Sequence, residues 1–281
     1  MGYHFAVIGG DARLRYTAQE LQRIGCNVAR YAVSGLADTH KTVGEAVAAA
    51  DAVILPMPAF GRDGSVRNEE NQMIAAEEIA THLRKGAVVY LGKLDAHAKP
   101  LQAQADVCDY AAWESLAIEN AVPTAEGAIQ IAMEQMPKTI QGSRFLVIGA
   151  GRIGMCLARK LTALGADVVV SARKEADFAR IRAAGLTADI TGKYGLGLGV
   201  YDCVMNTVPA KVMDCAQLEA LTADCLLIEL ASAPFGFDRE ECRLVGRKWI
   251  SGAALPGKVA PKTAGELIAA QILAHWKGVQ A

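Results

Sequence analysis

An excess of charge of either sign is what this chain most plainly lacks. Its 281 residues carry 29 basic and 30 acidic side chains, a formal net charge of −1. A surface so balanced has no global field to hold nucleic acid or an anionic membrane. Long hydrophobic runs are missing too. Stretches such as "EAVAAADAVILPMP" are broken by charge or proline, short of the roughly 18 apolar residues that a membrane span requires. The opening "MGYHFAVIGG" runs straight into a strand, so no signal peptide is expected. The seven cysteines (Cys26, Cys108, Cys156, Cys203, Cys215, Cys225 and Cys242) form no C-x-x-C pair, and reduced thiols in a cytoplasmic setting are the reading. Neither H-E-x-x-H, nor a His and Cys cluster for zinc, nor G-x-S-x-G occurs, so no metal site is expected.

What is present is a chain just over half hydrophobic, enough for a sizeable core. Short β-branched runs alternate with amphipathic segments: "FAVIGG", "NVARYAV", "AVILPM", "AVVYLG" and "VCDYAA" in the first half, with helical stretches such as "NQMIAAEEIATHLRKG" between them. The pattern restarts with "RFLVIGA", "DVVVSA", "CVMNTV", "CLLIELA" and "WISGAA". Continuous apolar strands flanked by helices indicate parallel sheets covered on both faces. We therefore expect two doubly wound α/β domains: residues 1–120, a connecting helix over 121–138, a nucleotide-binding domain over 139–260, and a C-terminal helix over 261–281. Such last helices often pack back on the first domain in two-domain dehydrogenases.

The segment "VIGAGRIG" (147–154) is a G-x-G-x-x-G turn that follows a strand and opens a helix, with Ile153, Leu157, Leu161 and Leu164 at helical spacing. In that context Gly149 permits the tight turn, Gly151 admits a pyrophosphate to the backbone, and Gly154 lets helix and strand pack closely. The helix start at Arg152 and Ile153 then faces the phosphates. About 20 residues on, NAD-binding chains place an acid for the ribose hydroxyls. Here that strand ends in Ser171, Ala172, Arg173 and Lys174. A hydroxyl and two cations suit a 2′-phosphate, and NADP is the expected cofactor. The bland alternative is a solvated basic turn partly neutralised by Glu175 and Asp177. The related turn "VIGGDARL" (7–14) has Leu14 in place of the third glycine and Asp11 at the helix start, so no second dinucleotide is expected there.

Other loops fall at strand ends, where such folds bind ligands. "NTVPA" puts Asn206, Thr207 and Pro209 at one of them, and "ELASAPFG" ends the next strand similarly. Arg13 and Arg15, in the first helical turn after "VIGGD", suit a small acid or are simply an exposed helix start. "ALPGKVAPKTAG" (254–265) reads as a loop dense in special residues. Its Lys258, Lys262 and Thr263 either bind carboxylates or form a solvated cap. No His–Glu pair stands at a strand end, so no catalytic acid or base is assigned.

The set "VIGGDAR" (7–13), "VPTAEGAI" (122–129), "VIGAGRIGM" (147–155), "SARKEADFARI" (171–181), "NTVP" (206–209) and "LPGKVAPKTAG" (255–265) resembles the dipicolinate synthase A-subunit family, in the family's order over nearly the whole chain. The resemblance implies a flavodoxin-like first domain and a Rossmann second domain akin to the D-2-hydroxyacid dehydrogenases. It implies oxidation of a dihydrodipicolinate to dipicolinate with NADP, in the mother-cell cytoplasm of a spore-former, beside a flavoprotein-like B-subunit. A homo-oligomer is also expected. The two substrate carboxylates need cations, and Arg13, Lys258 and Lys262, with Thr263, stand at matching motif positions. Asn206, Thr207 and Pro209 would line the nicotinamide-ribose side. One departure is Ala233, in a loop where family members often carry a basic residue. Two other readings stay open from the residues alone: a non-catalytic nucleotide-binding scaffold or regulatory subunit, and a hydroxyacid or amino-acid dehydrogenase with a lysine as its acid.

Overall fold

Parallel strands buried on both faces dominate the computed structural model, which describes residues 2–280. Met1 and Ala281, the outer ends of the expected first domain and last helix, lie outside the described residues. The chain divides into two compact units, Met1–Asn120 together with Ala260–Ala281, and Ala121–Val259.

The first unit runs β1 (His4–Ile8), α1 (Ala12–Arg23), β2 (Asn27–Tyr31), α2 (Val43–Ala48) and β3 (Ala52–Ile54). A hairpin follows, β4 (Ser65–Arg67) and β5 (Met73–Ala75), then α3 (Ala76–His82), β6 (Val88–Leu91), α4 (Lys99–Gln102), β7 (Asp106–Asp109) and α5 (Glu114–Glu119). The second unit runs α6 (Ala121–Gln135), β8 (Arg144–Ile148), α7 (Arg152–Ala163), β9 (Asp167–Ala172), α8 (Glu175–Ala183) and β10 (Thr187–Ile190). It continues with β11 (Cys203–Asn206), α9 (Cys215–Glu219), β12 (Leu226–Glu229), α10 (Arg239–Leu244), β13 (Lys248–Ser251) and α11 (Leu255–Val259). Helix α12 (Pro261–Gln280) returns to the first unit.

The first sheet is parallel, in the order β2-β1-β3-β6-β7, which is the flavodoxin order. The second is parallel in the order β10-β9-β8-β11-β12-β13, the Rossmann order, with its switch point between β8 and β11. Two connections differ from the sequence reading. The expected helix over "NQMIAAEEIATHLRKG" starts only at Ala76, because Met73, Ile74 and Ala75 alternate exposed, buried, exposed and pair antiparallel with β4. Strand β10 ("TADI") carries no apolar run to announce it, yet it pairs along β9.

Each sheet has two packed faces. In the first unit, Phe5, Val7, Ile54 and Tyr90 pack with Leu14 of α1 and with Ile268, Ile272 and Trp276 of α12. In the second, Phe145, Val147 and Val170 pack with Ala125, Ala128 and Ile129 of α6 and Leu157 and Leu161 of α7. Burying each large side chain of this kind contributes about 1.5–3 kcal/mol relative to leaving it in water. Two glycines let helices approach. A Cβ on Gly265 of α12 would collide with the Arg13 carbonyl, and one on Gly127 of α6 would press on Leu255 and Val259 of α11. Thr17 of α1 closes the first contact by donating to the Gly265 carbonyl at 3.0 Å. No helix among the described residues is long and apolar enough to cross a membrane.

Candidate functional site

The second-unit turn is built by exclusion. Gly149, directly after β8, takes φ +103°, and its amide donates to the Ser171 carbonyl at 2.9 Å. A side chain there would overlap Thr207 Oγ1, and a Cβ on Gly154 would overlap the Gly149 carbonyl. Both glycines are therefore required by the protein itself. Gly151 is different: it caps α7 without a side-chain hydrogen bond, and a Cβ would meet nothing within 4 Å. Nothing in the chain demands a glycine there, whereas a ligand approaching the backbone would. The first amides of α7, from Arg152 and Ile153 onward, point out of the helix start, an arrangement that can take an anion.

A cavity of about 260 Å³ opens at this turn, lined by Gly149, Gly151, Arg173, Lys174, Thr207 and Pro209. The structure thus brings together most of the residues expected from the two motifs and the NTVP loop. A larger cavity, about 400 Å³, lies at the amino edge of the first sheet beside His4, Asn27 and His40. Doubly wound sheets bind ligands at the opposite, carboxyl edge, so the cavity at the glycine turn is the candidate site, although it is smaller than this one and than two others of about 470 and 640 Å³.

The basic turn keeps its two cations without ion pairs of their own among the described residues. Glu175 pairs with Arg182 at 3.0 Å and Asp177 with Arg180 at 2.7 Å. Of these acids, expected as partial neutralisers of the turn, Glu175 is occupied further along α8, whereas Asp177 lines the same cavity as Arg173 and Lys174 with its charge shared with Arg180. Arg173 and Lys174 are exposed, and their side chains make no hydrogen bond or ion pair among the described residues. Ser171 needs correction as a surface donor. It is fully buried, and its hydroxyl accepts from Thr191 Oγ1 at 3.0 Å. Thr191, just past β10, lines the cavity instead. Period-two alternation along β9 alone does not reveal this, because it depends on which strand lies alongside.

At the switch-point side, Asn206 is also buried rather than open to a ligand. Its Nδ2 donates to the Val208 carbonyl (2.8 Å) and to Glu229 Oε1 (2.7 Å), and its Oδ1 accepts from the Val208 amide (3.0 Å). It shapes the cavity wall from behind. Thr207 donates to the Ile148 carbonyl at 2.8 Å, which fixes its side chain against the glycine turn. Glu229, missed by the sequence reading, accepts from Asn206, Ala231, Gly236 and Phe237. Its signal was present: a carboxylate ending the otherwise apolar strand "CLLIE" must be hydrogen-bonded when buried.

The expected substrate cations differ in their surroundings. Arg13 is buried, and its guanidinium holds Asp11 through Nε and Nη2 (2.8–3.0 Å) and donates to the Met57 carbonyl at 2.6 Å. Burial opposes the charge, but hydrogen bonds and attraction from Asp11 outweigh it and raise the pKa above the usual arginine value. Arg13 is thus already neutralised, a correction to its reading as an open carboxylate binder. The "LPGKVAPKTAG" run is not a loop but α11 and α12 with a break at Ala260. Lys258 is exposed on α11 of the second unit, whereas Lys262 and Thr263 are exposed in the first turn of α12 in the first unit. Lys262 lies 3.8 Å from Glu266.

Fold and site together define a two-domain α/β protein of the dehydrogenase type, with a Rossmann NAD(P)-binding domain. The family models agree. Residues 4–110 match the N-terminal domain of the dipicolinate synthase A-subunit, and residues 117–255 match the D-isomer specific 2-hydroxyacid dehydrogenase NAD binding domain. The dipicolinate synthase A-subunit of Bacillus subtilis (strain 168) is 32% identical over 280 residues, covering 95% of this chain and 94% of that protein. The chain belongs to the dipicolinate synthase A-subunit family. The crystal structure of the Bacillus subtilis protein superposes with a TM-score of 0.87 at 30% identity, covering 100% of this chain and 97% of that one. The Bacillus halodurans A-subunit structure gives 0.86 at 30% identity, with 98% and 97% covered. A transhydrogenase from Sinorhizobium meliloti shares the fold alone, with a TM-score of 0.70 at 14% identity over 98% of this chain and 94% of that one.

Proposed function

We propose that this chain is an NADP-dependent oxidoreductase subunit that forms dipicolinate from a dihydrodipicolinate during sporulation. It would work in the mother-cell cytoplasm beside a flavoprotein-like partner, the B-subunit, and itself assemble as a homo-oligomer. The observation that carries the cofactor choice is the pair Arg173 and Lys174, exposed and without an ion pair among the described residues, at a cavity whose one lining acid, Asp177, is paired with Arg180. Two exposed cations favour a phosphomonoester over bare ribose hydroxyls, and an arginine can hold it bidentately. The turn at Gly149 and Gly151, with the amides of Arg152 and Ile153, would hold the pyrophosphate. Thr207 and Pro209 would face the nicotinamide ribose, with Asn206 bracing them. Oxidised NADP held there would supply a hydride acceptor, and the ring proton lost on aromatisation would pass to water or a base. Aromatisation provides driving force, which lessens the need for a strong protein base. Lys258, Lys262 and Thr263 remain the proposed carboxylate contacts, and Arg13 would act by holding the Met57 backbone.

The test is a titration with NADP and NAD at equal ionic strength, followed by turnover of dihydrodipicolinate by the chain alone and with its partner. NADP tighter by about tenfold or more, about 1.4 kcal/mol, supports the phosphate reading. Equal affinities would remove it. Tight binding without turnover in either preparation would favour a non-catalytic nucleotide-binding scaffold or regulatory subunit.

A further inference from the structure

Phe235 stands where neither the chain nor water favours it. It is 41% exposed, while Phe237, two residues on, is 3% exposed and the remaining phenylalanines are buried or half-buried. Its backbone sits at φ +59°, a left-handed conformation in which a bulky L-residue is strained and glycine is at ease. Solvation would prefer a polar side chain at this position, and backbone geometry would prefer none.

The loop around it is over-determined, which is the condition for such strain to persist. The Phe235 amide donates to the Ser232 carbonyl at 3.1 Å, closing a turn. The next two amides, of Gly236 and Phe237, donate to the buried Glu229 carboxylate at 2.8 and 3.0 Å. Gly236 packs so closely on Asn206 that a Cβ would overlap its side chain, and its carbonyl accepts from the Val212 amide at 3.0 Å. The Glu229 carboxylate that braces this turn also braces Asn206, and through it the Thr207–Pro209 wall of the cavity. Strands β11 and β12 pair in register up to Asn206 and Glu229, so both loops leave the same carboxyl edge side by side.

We propose that Phe235 is a ligand-contact residue whose ring packs against a planar pyridine-type ring at the carboxyl edge of the second sheet. This rests on the function proposed above. Such a ring is carried by the nicotinamide and by the dihydropyridine substrate alike. An aromatic side chain meets either one face-offset or edge-on, favourably and without hydrogen bonds that would discriminate oxidation states. The ring then has a function outside the chain, and that function accounts for a side chain unfavourable on both local counts.

The decisive variant is Phe235→Gly, because glycine suits φ +59° and removes only the ring. The measurements are dissociation constants for NADP and for dipicolinate, KM for dihydrodipicolinate with the B-subunit present, and the unfolding midpoint. The expected result is an unchanged or raised midpoint with at least one ring-ligand constant weakened about tenfold, and recovery to within about threefold in Phe235→Tyr. Loss confined to NADP assigns the contact to the nicotinamide, and loss confined to dipicolinate and KM assigns it to the substrate. Wild-type constants in Phe235→Gly would overturn the proposal, as would a loss only of association with the B-subunit, which would make the ring a protein contact. If the unmodified chain itself binds neither NADP nor dipicolinate, the functional reading fails and this inference with it.

Discussion

Two strand–helix turns of this chain share a topology and differ in what they leave unsatisfied. In the first unit the turn after β1 ends in Asp11, whose carboxylate caps α1 through the Arg13 amide and grips the Arg13 guanidinium. Its glycines are covered: Gly10 donates to the Arg67 carbonyl, its own carbonyl accepts from Ser34, and a Cβ there would strike Leu14. In the second unit the turn after β8 ends in Gly151, with no side-chain cap and open space beside it. One helix start is closed by its own carboxylate. The other presents the same donors to whatever arrives. The cations divide in the same way: Arg13 is buried and paired, while Arg173 and Lys174 are exposed and, among the described residues, unpaired.

The largest expected effect comes from converting the second turn into the first. Gly151→Asp places a carboxylate at the open helix start, where a bound pyrophosphate would meet a like charge. Nucleotide affinity should fall roughly a thousandfold, about 4 kcal/mol, with the fold retained because aspartate is a good helix cap. Unchanged affinity by titration would detach the turn from the site. Arg13→Ala breaks the first-unit pair and strands the Asp11 carboxylate. Allowing for the partial exposure of Asp11, it should cost about 2–4 kcal/mol in a denaturant midpoint and leave nucleotide binding alone. A loss of binding with wild-type stability would restore Arg13 as a ligand contact.

Arg173→Ala should weaken NADP by about 1.5–3 kcal/mol and NAD hardly at all, the scale of a hydrogen bond to a charged group. Equal losses for both would refute the phosphate role. Smallest in stability is Lys262→Ala, which removes an exposed pair 3.8 Å long and should shift the midpoint by less than about 0.5 kcal/mol. Any rise in the substrate constant then reports binding rather than folding, and no rise would remove Lys262 from the carboxylate contacts.

The order in which these turns were legible follows from distance along the chain. The glycine turn, its flanking strand and helix and the basic turn are contiguous, and their spacing alone was enough to read them. Thr191 was not read because its value depends on β10 pairing with β9 and on Ser171 facing inward. Glu229 was visible as a carboxylate at the end of an apolar strand. Its four donors come from Asn206 on the neighbouring strand and from a turn up to eight residues downstream, which no periodicity encodes. The glycines of "PTAEGAI" and "KTAG" were motif-like in the sequence, and in the fold Gly127 and Gly265 are places where helices touch.

By itself, then, the sequence determined two parallel α/β sheets, one glycine-rich strand–helix turn and the cations beside it, because each follows from short-range spacing and apolar runs. Only the tertiary structure decided that Arg13 is neutralised, that Ser171 and Asn206 are buried while Thr191 lines the cavity, and that the 254–265 run is two helices. Those outcomes depend on which distant group meets which. Strand register, helix contact and the competition of partners for each buried charge settle them, and none of these is a local property of the chain.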